Sequence, residues 1–339
     1  MKGKLFNRCF LLLLFLLTWF DLSKFQTVPV GKISEPVPIF PQIQINLLKS
    51  KNPLFVNDAI METAAMLITY FVPHLSKESW EIQHLFLDLI PDNEPEVILS
   101  LSLPPDRGIL ILLQKKDNHY FIAFYQDNLS PIAKLESLPL KNDEVLLVTR
   151  EEQQKQLSAL NQATLVKLWK WHENRLQIAF SENTHWEINW QDTWQEEDPK
   201  PEKWFNLTQK LTITYRQEDH QNLLRTKGEQ RFLEAPVNNN AFPAPYQFPS
   251  PFSLLKIRDV YQEYYWNDHW QKFILKTGFY LPPGQNTPEE IAVLKDLAKN
   301  LESLAFEKQQ QYQVINQKGD LFPLDKNSFL TTIPPFKEP

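Results

Sequence analysis

The sequence predicts a mainly β protein with flanking helices, in which antiparallel hairpins form a degenerate propeller-like array or a β-sandwich. Runs rich in leucine, isoleucine and aromatic residues, such as 96–103 and 108–114, are separated by turn-forming residues. Apolar and polar residues also alternate along 185–194, which is the period of a strand with one buried face. These two observations favour antiparallel sheets over a helical fold.

Hairpin turns are indicated at three places where an acidic residue and an asparagine precede an apolar strand. The segments are 116–124, 172–180 and 266–274. Asparagine and aspartate bond their own backbone and tolerate tight turns, so the pairs have a local cause. Their spacing along the chain is irregular, so the sequence does not support a strict repeat.

The N-terminal segment predicts export. Three basic residues within the first eight positions precede an apolar run from Cys9 to Phe20. No pair of small residues marks a cleavage site after this run. We therefore expect residues 1–24 to be a signal peptide, or a signal anchor that holds the protein in the membrane through residues 5–20. Either outcome places the rest of the chain outside the cytoplasm, as a membrane-anchored or a secreted protein.

The remainder divides into a linker and one domain. Residues 25–56 are spaced by prolines and predict an extended linker, and residues 57–339 predict a single β-rich domain. Helices are expected near 57–72 and 288–309, the second because Thr287 precedes a proline and two glutamates. The apolar face of that second helix would consist of Ile291, Leu294, Ala298, Leu301 and Ala305.

Composition excludes several classes of partner and chemistry. The net charge is −6, and no basic block follows the N-terminus, so we expect no nucleic-acid partner. With seven glycines and no glycine-rich phosphate loop, we expect no nucleotide partner either. Cys9 is the only cysteine and lies in the predicted signal. The exported part therefore has no disulfide, no cysteine-based metal site and no cysteine nucleophile.

An acidic loop precedes the first strong strand. The segment resembles the calcium loop of FG-GAP and VCBS-type (integrin-type) repeats, over residues 88–98. Asp88, Asp92 and Glu96 match three of that family's four acidic positions, and the resemblance implies that they are calcium ligands. Ile90 replaces the fourth acid, and both loop glycines are replaced. The alternative is a β-turn whose acids face water. Apart from this calcium, no cofactor is expected.

Tryptophans form the second candidate site. Trp186, Trp190 and Trp194 fall on one face of a predicted strand. An exposed row of aromatic rings can stack on sugar rings, because an aromatic face combines a large apolar area with a polar edge. The alternative is that these rings form a core layer of the sheet.

No catalytic motif is present. The sequence has no H-E-x-x-H pair and no G-x-S-x-G elbow. We therefore expect a non-catalytic binding or scaffolding role at the cell envelope. The membrane, through the N-terminal segment, and an envelope protein or polysaccharide are the expected partners. The alternative is an envelope polysaccharide hydrolase that uses a tryptophan-lined groove.

Overall fold

The fold is built from three antiparallel sheets that follow one another along the chain. The computed structural model describes residues 38–71, 80–92, 94–103, 106–141, 144–155, 160–191, 203–218, 221–236, 251–306 and 310–332. Within these residues, seventeen strands form sheets of five, eight and four strands.

The five-stranded sheet is the middle of three layers. Its strands are β1 (Ile39–Pro41), β2 (Glu81–Leu87), β3 (Glu96–Leu103), β4 (Arg107–Lys116) and β5 (His119–Leu129), in the order β1-β5-β4-β3-β2. Helices α1 (Gln42–Leu48) and α2 (Pro53–Phe71) cover one face, where Ile45 and Leu67 join the core. The other face packs on the next sheet through Ile98 and Leu112. Because both faces are covered, β3 and β4 are almost continuously buried.

The eight-stranded sheet is a half-barrel in which every strand pairs with its sequence neighbour. Its strands are β6 (Ile132–Pro139), β7 (Val145–Lys155), β8 (Leu160–His172), β9 (Arg175–Gln191), β10 (Lys203–Glu218), β11 (Gln221–Pro236), β12 (Ser253–Asn267) and β13 (Lys272–Ile274). The pairing of β9 with β10 ends at His185 and Lys210. The two strands then separate, and side chains such as Phe180 and Tyr264 meet across the interior with ring centroids 5.0 Å apart.

The four-stranded sheet is the last of the three sheets along the described chain. Its strands are β14 (Lys276–Tyr280), β15 (Glu289–Asp296), β16 (Gln311–Asn316) and β17 (Leu321–Asp325). Between β15 and β16, the 3-10 helix η1 (Leu297–Lys299) lies against β16, and η2 (Leu301–Leu304) lies against β10, β11 and β12. A last 3-10 turn, η3 (Lys326–Ser328), follows β17. The segment η1–η2 thus covers part of the half-barrel.

The predicted class, mainly β with flanking helices and antiparallel hairpins, is confirmed. The turns at 117–118 and 173–174 are two-residue hairpin turns, and three of their four residues have a positive φ of 51–58°. The predicted helix near 57–72 is present as α2, although it begins at Pro53.

The predicted helix near 288–309 is wrong. Residues 289–296 form β15, a central strand of its sheet, followed by η1 and η2. Ala292 packs into one apolar cluster, whereas Ile291 and Val293 pack into another. Burial on both faces of a strand stabilises this stretch more than the helix start at Thr287 can, since a cap contributes only about 1 kcal/mol.

The predicted linker is too long at its C-terminal end. Residues 38–56 are folded rather than extended, because they form β1, α1 and the first turn of α2. Gln44, Ile45 and Leu48 share one buried side of α1, a set of positions too short to be recognised as a helical period.

Candidate functional site

Aromatic rings meet at one end of the half-barrel. Trp190 on β9 lies opposite Phe205 on β10, and Leu207 lies opposite Phe232 on β11. This register places the rings on one face of the sheet, where Trp190 stacks on Phe232 at 6.0 Å with nearly parallel planes. The centroids of Phe205 and Phe306 are 5.4 and 6.1 Å from that of Trp190. We call these four residues the aromatic cluster.

Burial separates this cluster from the core tryptophans. Trp169, Trp204, Trp266 and Trp270 are buried and fill the interior or the layer contacts. Trp190 and the three phenylalanines of the cluster are only half-buried, and so is Trp186 on the same strand face. A half-buried ring keeps part of its face available to another molecule, which a core ring does not.

Below the aromatic cluster, polar side chains cross the half-barrel. Arg258 on β12 donates to Gln230 at 2.8 Å, and Gln230 donates to Gln209, which donates to the carbonyl of Asn183 at 2.6 Å. Arg258 also donates to the carbonyls of Ala298 and Asn300, at 2.8 and 2.7 Å. We call Gln209, Gln230 and Arg258 the polar belt.

The belt fixes the η1–η2 segment on the sheet. Burial lowers the pKa of Arg258, because the charged guanidinium has lost water. The carbonyls of Ala298 and Asn300 and the Ser303 hydroxyl replace part of that hydration.

Two carboxyl groups lie beside the belt. Glu182 on β9 faces Lys295 at the end of β15, with 3.8 Å between Oε2 and Nζ. Burial raises the pKa of Glu302 on η2 to about 7; Lys295 opposes the shift and Glu182 adds to it. Close to neutral pH, Glu302 is therefore divided between a protonated and an ionised form, next to a carboxylate paired with lysine.

The acidic loop is arranged differently from a calcium site. The Glu96 side chain turns inward, and its carboxylate accepts from the backbone N–H groups of Leu89 and Ile90 at 2.8 and 3.0 Å. Asp92 accepts from the backbone of Glu94, while Asp88 is exposed. Among the described residues, no group of three histidine, cysteine or acidic side chains is placed to share a metal ion. Burial raises the pKa of Glu96, against the two N–H groups that lower it.

The structure thus brings together part of the predicted tryptophan row. Trp186 and Trp190 share a face with Ile188, as the alternation indicates. Trp194 lies outside the described residues. The phenylalanines of the aromatic cluster and the pair Glu182 and Glu302 were not predicted. Leu301 and Leu304, which flank Glu302, were the only sign in the sequence that it is buried. The phenylalanines are brought together by a strand register that the sequence does not reveal.

Comparisons with protein-family models, with curated proteins and with solved structures found no match to this chain. The likeness to FG-GAP repeats therefore rests on residues 88–98 alone. One helix of the described part, α2, is long and apolar enough to cross a membrane. Helices that cover a soluble core can satisfy the same criterion, and α2 does pack on the five-stranded sheet.

Proposed function

We propose that this chain is an exported protein that binds an envelope component without catalysing a reaction. Residues 1–24 would deliver it across the membrane and either hold it there or be removed. The observation that supports the binding role is the aromatic cluster, whose rings are half-buried at one end of the half-barrel.

A polysaccharide is the ligand class that this surface suits best. Trp190 and Phe232 stack on each other with an angle of 3° between their planes, and both are only half-buried, so part of their aromatic surface remains accessible. Flat aromatic surfaces stack on the apolar faces of sugar rings. Lys203, at the start of β10, is paired with Glu234, so these two charges at this end of the half-barrel compensate each other. A neutral or weakly charged glycan fits such a surface better than a polyanion does.

Binding can be tested by titrating the full-length protein with purified cell-wall glycans, including peptidoglycan fragments and neutral glucans. We expect Trp190→Ala to weaken binding of the recognised glycan about tenfold, which corresponds to about 1.4 kcal/mol. Trp171→Ala is the matched control, because Trp171 is also half-buried but packs between the sheets. Equal affinity of the two variants, or no glycan binding at all, would count against the proposal.

A polysaccharide hydrolase is the second candidate, and Glu302 favours it. Glycoside hydrolysis commonly pairs a protonated carboxylic acid with an ionised carboxylate. Glu302, divided between its two forms near pH 7, and Glu182, facing Lys295, have those two characters. If a glycan is cleaved, Glu302→Gln should abolish the release of reducing ends while binding persists. Glu62→Gln, at an exposed position on α2, is the control. Binding without any release of reducing ends would favour the non-catalytic role.

A further inference from the structure

The two N-terminal helices expose a concentration of apolar side chains. The described part of the chain has ten exposed large hydrophobic residues, and five of them fall within residues 39–61. The most exposed are Ile43 (74%) on α1 and Leu54 (69%) on α2, followed by Met61 (57%) and Phe55 (52%). Such a patch is larger than the single scattered hydrophobic residues that most surfaces show, and it indicates a contact surface.

The patch on α2 is a stripe on the side that faces away from the sheet. Ala59, Thr63, Ala64 and Leu67 are the buried residues of this helix. Leu54, Met61 and Ala65 are exposed and follow spacings of seven and four residues, which places them on one line along the helix. The exposed Asp58 lies on the same line, four residues after Leu54 and three before Met61, and the exposed Glu62 lies beside it. The side of α2 that faces away from the sheet is therefore mixed, with the Asp58 carboxylate between the apolar residues Leu54 and Met61.

The turn between the two helices is basic. Lys49 and Lys51 are both exposed, and no acid lies between α1 and the start of α2. Lys49 is placed over the Phe86 ring at 4.6 Å, whereas no ion pair is recorded for either lysine within the described residues. Exposed apolar residues next to lysines are typical of a surface that rests on lipid headgroups and acyl chains.

Along the chain, this surface is the first described part of the fold after the predicted anchor. The apolar run ends at Phe20, and residues 21–37 separate it from the first described strand. At about 3.5 Å per residue, these 17 residues reach at most ~60 Å. The helical layer is thus the part of the described fold that lies nearest to the anchor along the chain.

We propose that the outer side of α1 and α2, centred on Ile43, Leu54 and Met61, rests on the membrane from which the protein is tethered. This inference relies on the tether in the proposed function. Because Asp58 lies between Leu54 and Met61, the contact would be shallow, with the carboxylates of Asp58 and Glu62 at the level of the headgroups. This membrane contact would orient the domain so that the opposite layer, the half-barrel, faces away from the lipid.

The experiment uses single-cysteine labels in the full-length protein, reconstituted in vesicles of phosphatidylcholine with a minority of phosphatidylglycerol. Because Cys9 is the only cysteine, Cys9→Ser provides a background without thiols. A polarity-sensitive fluorophore is attached after Leu54→Cys or Met61→Cys. Thr212→Cys is the control, because Thr212 lies on the exposed outer face of β10. A fourth sample carries the label on the natural Cys9.

We expect lipid-borne nitroxide to remove most of the emission at positions 54, 61 and 9, and little at 212. If the label on Cys9 is quenched but the labels at positions 54 and 61 respond like the label at 212, the membrane tether is supported and the contact of α1 and α2 with the membrane is refuted. If the labels at positions 54 and 61 are shielded from aqueous iodide but are not quenched by the lipid-borne nitroxide, a protein surface covers the patch, and the membrane contact is again refuted. If Cys9 itself is not quenched, the tether is refuted, and this inference with it.

Discussion

At the scale of single residues, the least expected feature is a buried ion pair between two neighbouring strands of the eight-stranded sheet. Lys167 on β8 and Glu151 on β7 are almost fully buried, with 2.9 Å between Nζ and Oε2. Thr149 donates to the same carboxylate at 3.3 Å and accepts from the Trp169 indole at 2.9 Å. Burial lowers the pKa of Lys167, against the attraction of Glu151. The network lies on the face that packs against the five-stranded sheet, where Trp169 belongs to the apolar cluster shared by the two sheets.

Removing one partner should be costly. Glu151→Gln leaves the Lys167 ammonium buried without a carboxylate, and we expect it to lower the free energy of unfolding by about 3–5 kcal/mol. In this variant the pKa of the folded-state Lys167 falls further, so the unfolded chain binds more protons than the folded one. The loss in free energy of unfolding relative to the wild type should therefore shrink as the pH rises toward 10. Chemical denaturation at several pH values measures this. The double variant Glu151→Leu with Lys167→Met should lie close to the wild type. A single variant as stable as the wild type would show that the pair does not hold the layers.

Ionisation of Glu302 should lower the stability of the folded protein as the pH rises, which is the opposite of the trend expected for the Glu151→Gln variant. Its folded-state pKa of about 7 lies above the unfolded value, so the folded protein favours the protonated form. Glu302 makes its full contribution to the free energy of unfolding below its unfolded-state pKa. This contribution, about 3 kcal/mol, is lost as the pH rises through about 7. Glu302→Gln should therefore gain stability over the wild type at pH 8 and show no gain at pH 4. A constant difference at both pH values would mean that Glu302 does not titrate in this range.

At the scale of elements, one glycine permits the curvature of the half-barrel. Gly228 on β11 lies opposite Leu211, next to Lys210, where β9 and β10 stop pairing. A Cβ atom at position 228 would approach the Lys210 carbonyl oxygen to 1.9 Å and the Leu211 Cα to 2.8 Å. The backbone of β10 is therefore pressed against β11 at the bend, and only glycine fits there.

Gly228→Ala should consequently separate these strands and lower the free energy of unfolding by more than about 2 kcal/mol. Thermal melting measures the effect, and Gly284→Ala serves as the comparison. Gly284 has open space around it but a φ of +79°, so its variant carries only backbone strain, about 1 kcal/mol. Equal melting temperatures of the two variants would show that the approach at Gly228 is not tight.

Elements were predictable from the sequence where the local signal and the tertiary contacts agree. The turns at Asp117 and Asn174 follow from residues that tolerate positive φ, and β3 and β4 follow from continuous apolar runs. β15 was not predictable, because its helix-like start conflicts with burial on both faces, which only the complete sheet supplies. Neither was α1, whose seven residues are too few to show a period.

At the scale of the whole molecule, the candidate site arises from contacts between distant segments. Trp190, Phe205, Phe232 and Phe306 come from four separate stretches, joined by the register of β9, β10 and β11 and by the chain after η2. The tryptophan row on β9 could be predicted from alternation alone. Its phenylalanine neighbours and the carboxyl pair could not, because a single sequence with 41 acidic residues does not indicate which of them meet.

We propose that the protein is part of the cell envelope and that its binding surface lies outside the cytoplasm. Treating intact cells or spheroplasts that produce the full-length chain with protease tests this most directly, with a cytoplasmic protein as the internal control. We predict that the β-rich domain is digested while the cytoplasmic control is spared, and that the chain fractionates with the membrane or the medium. A chain that stays protected in intact cells and is recovered with soluble cytoplasmic proteins would contradict the account.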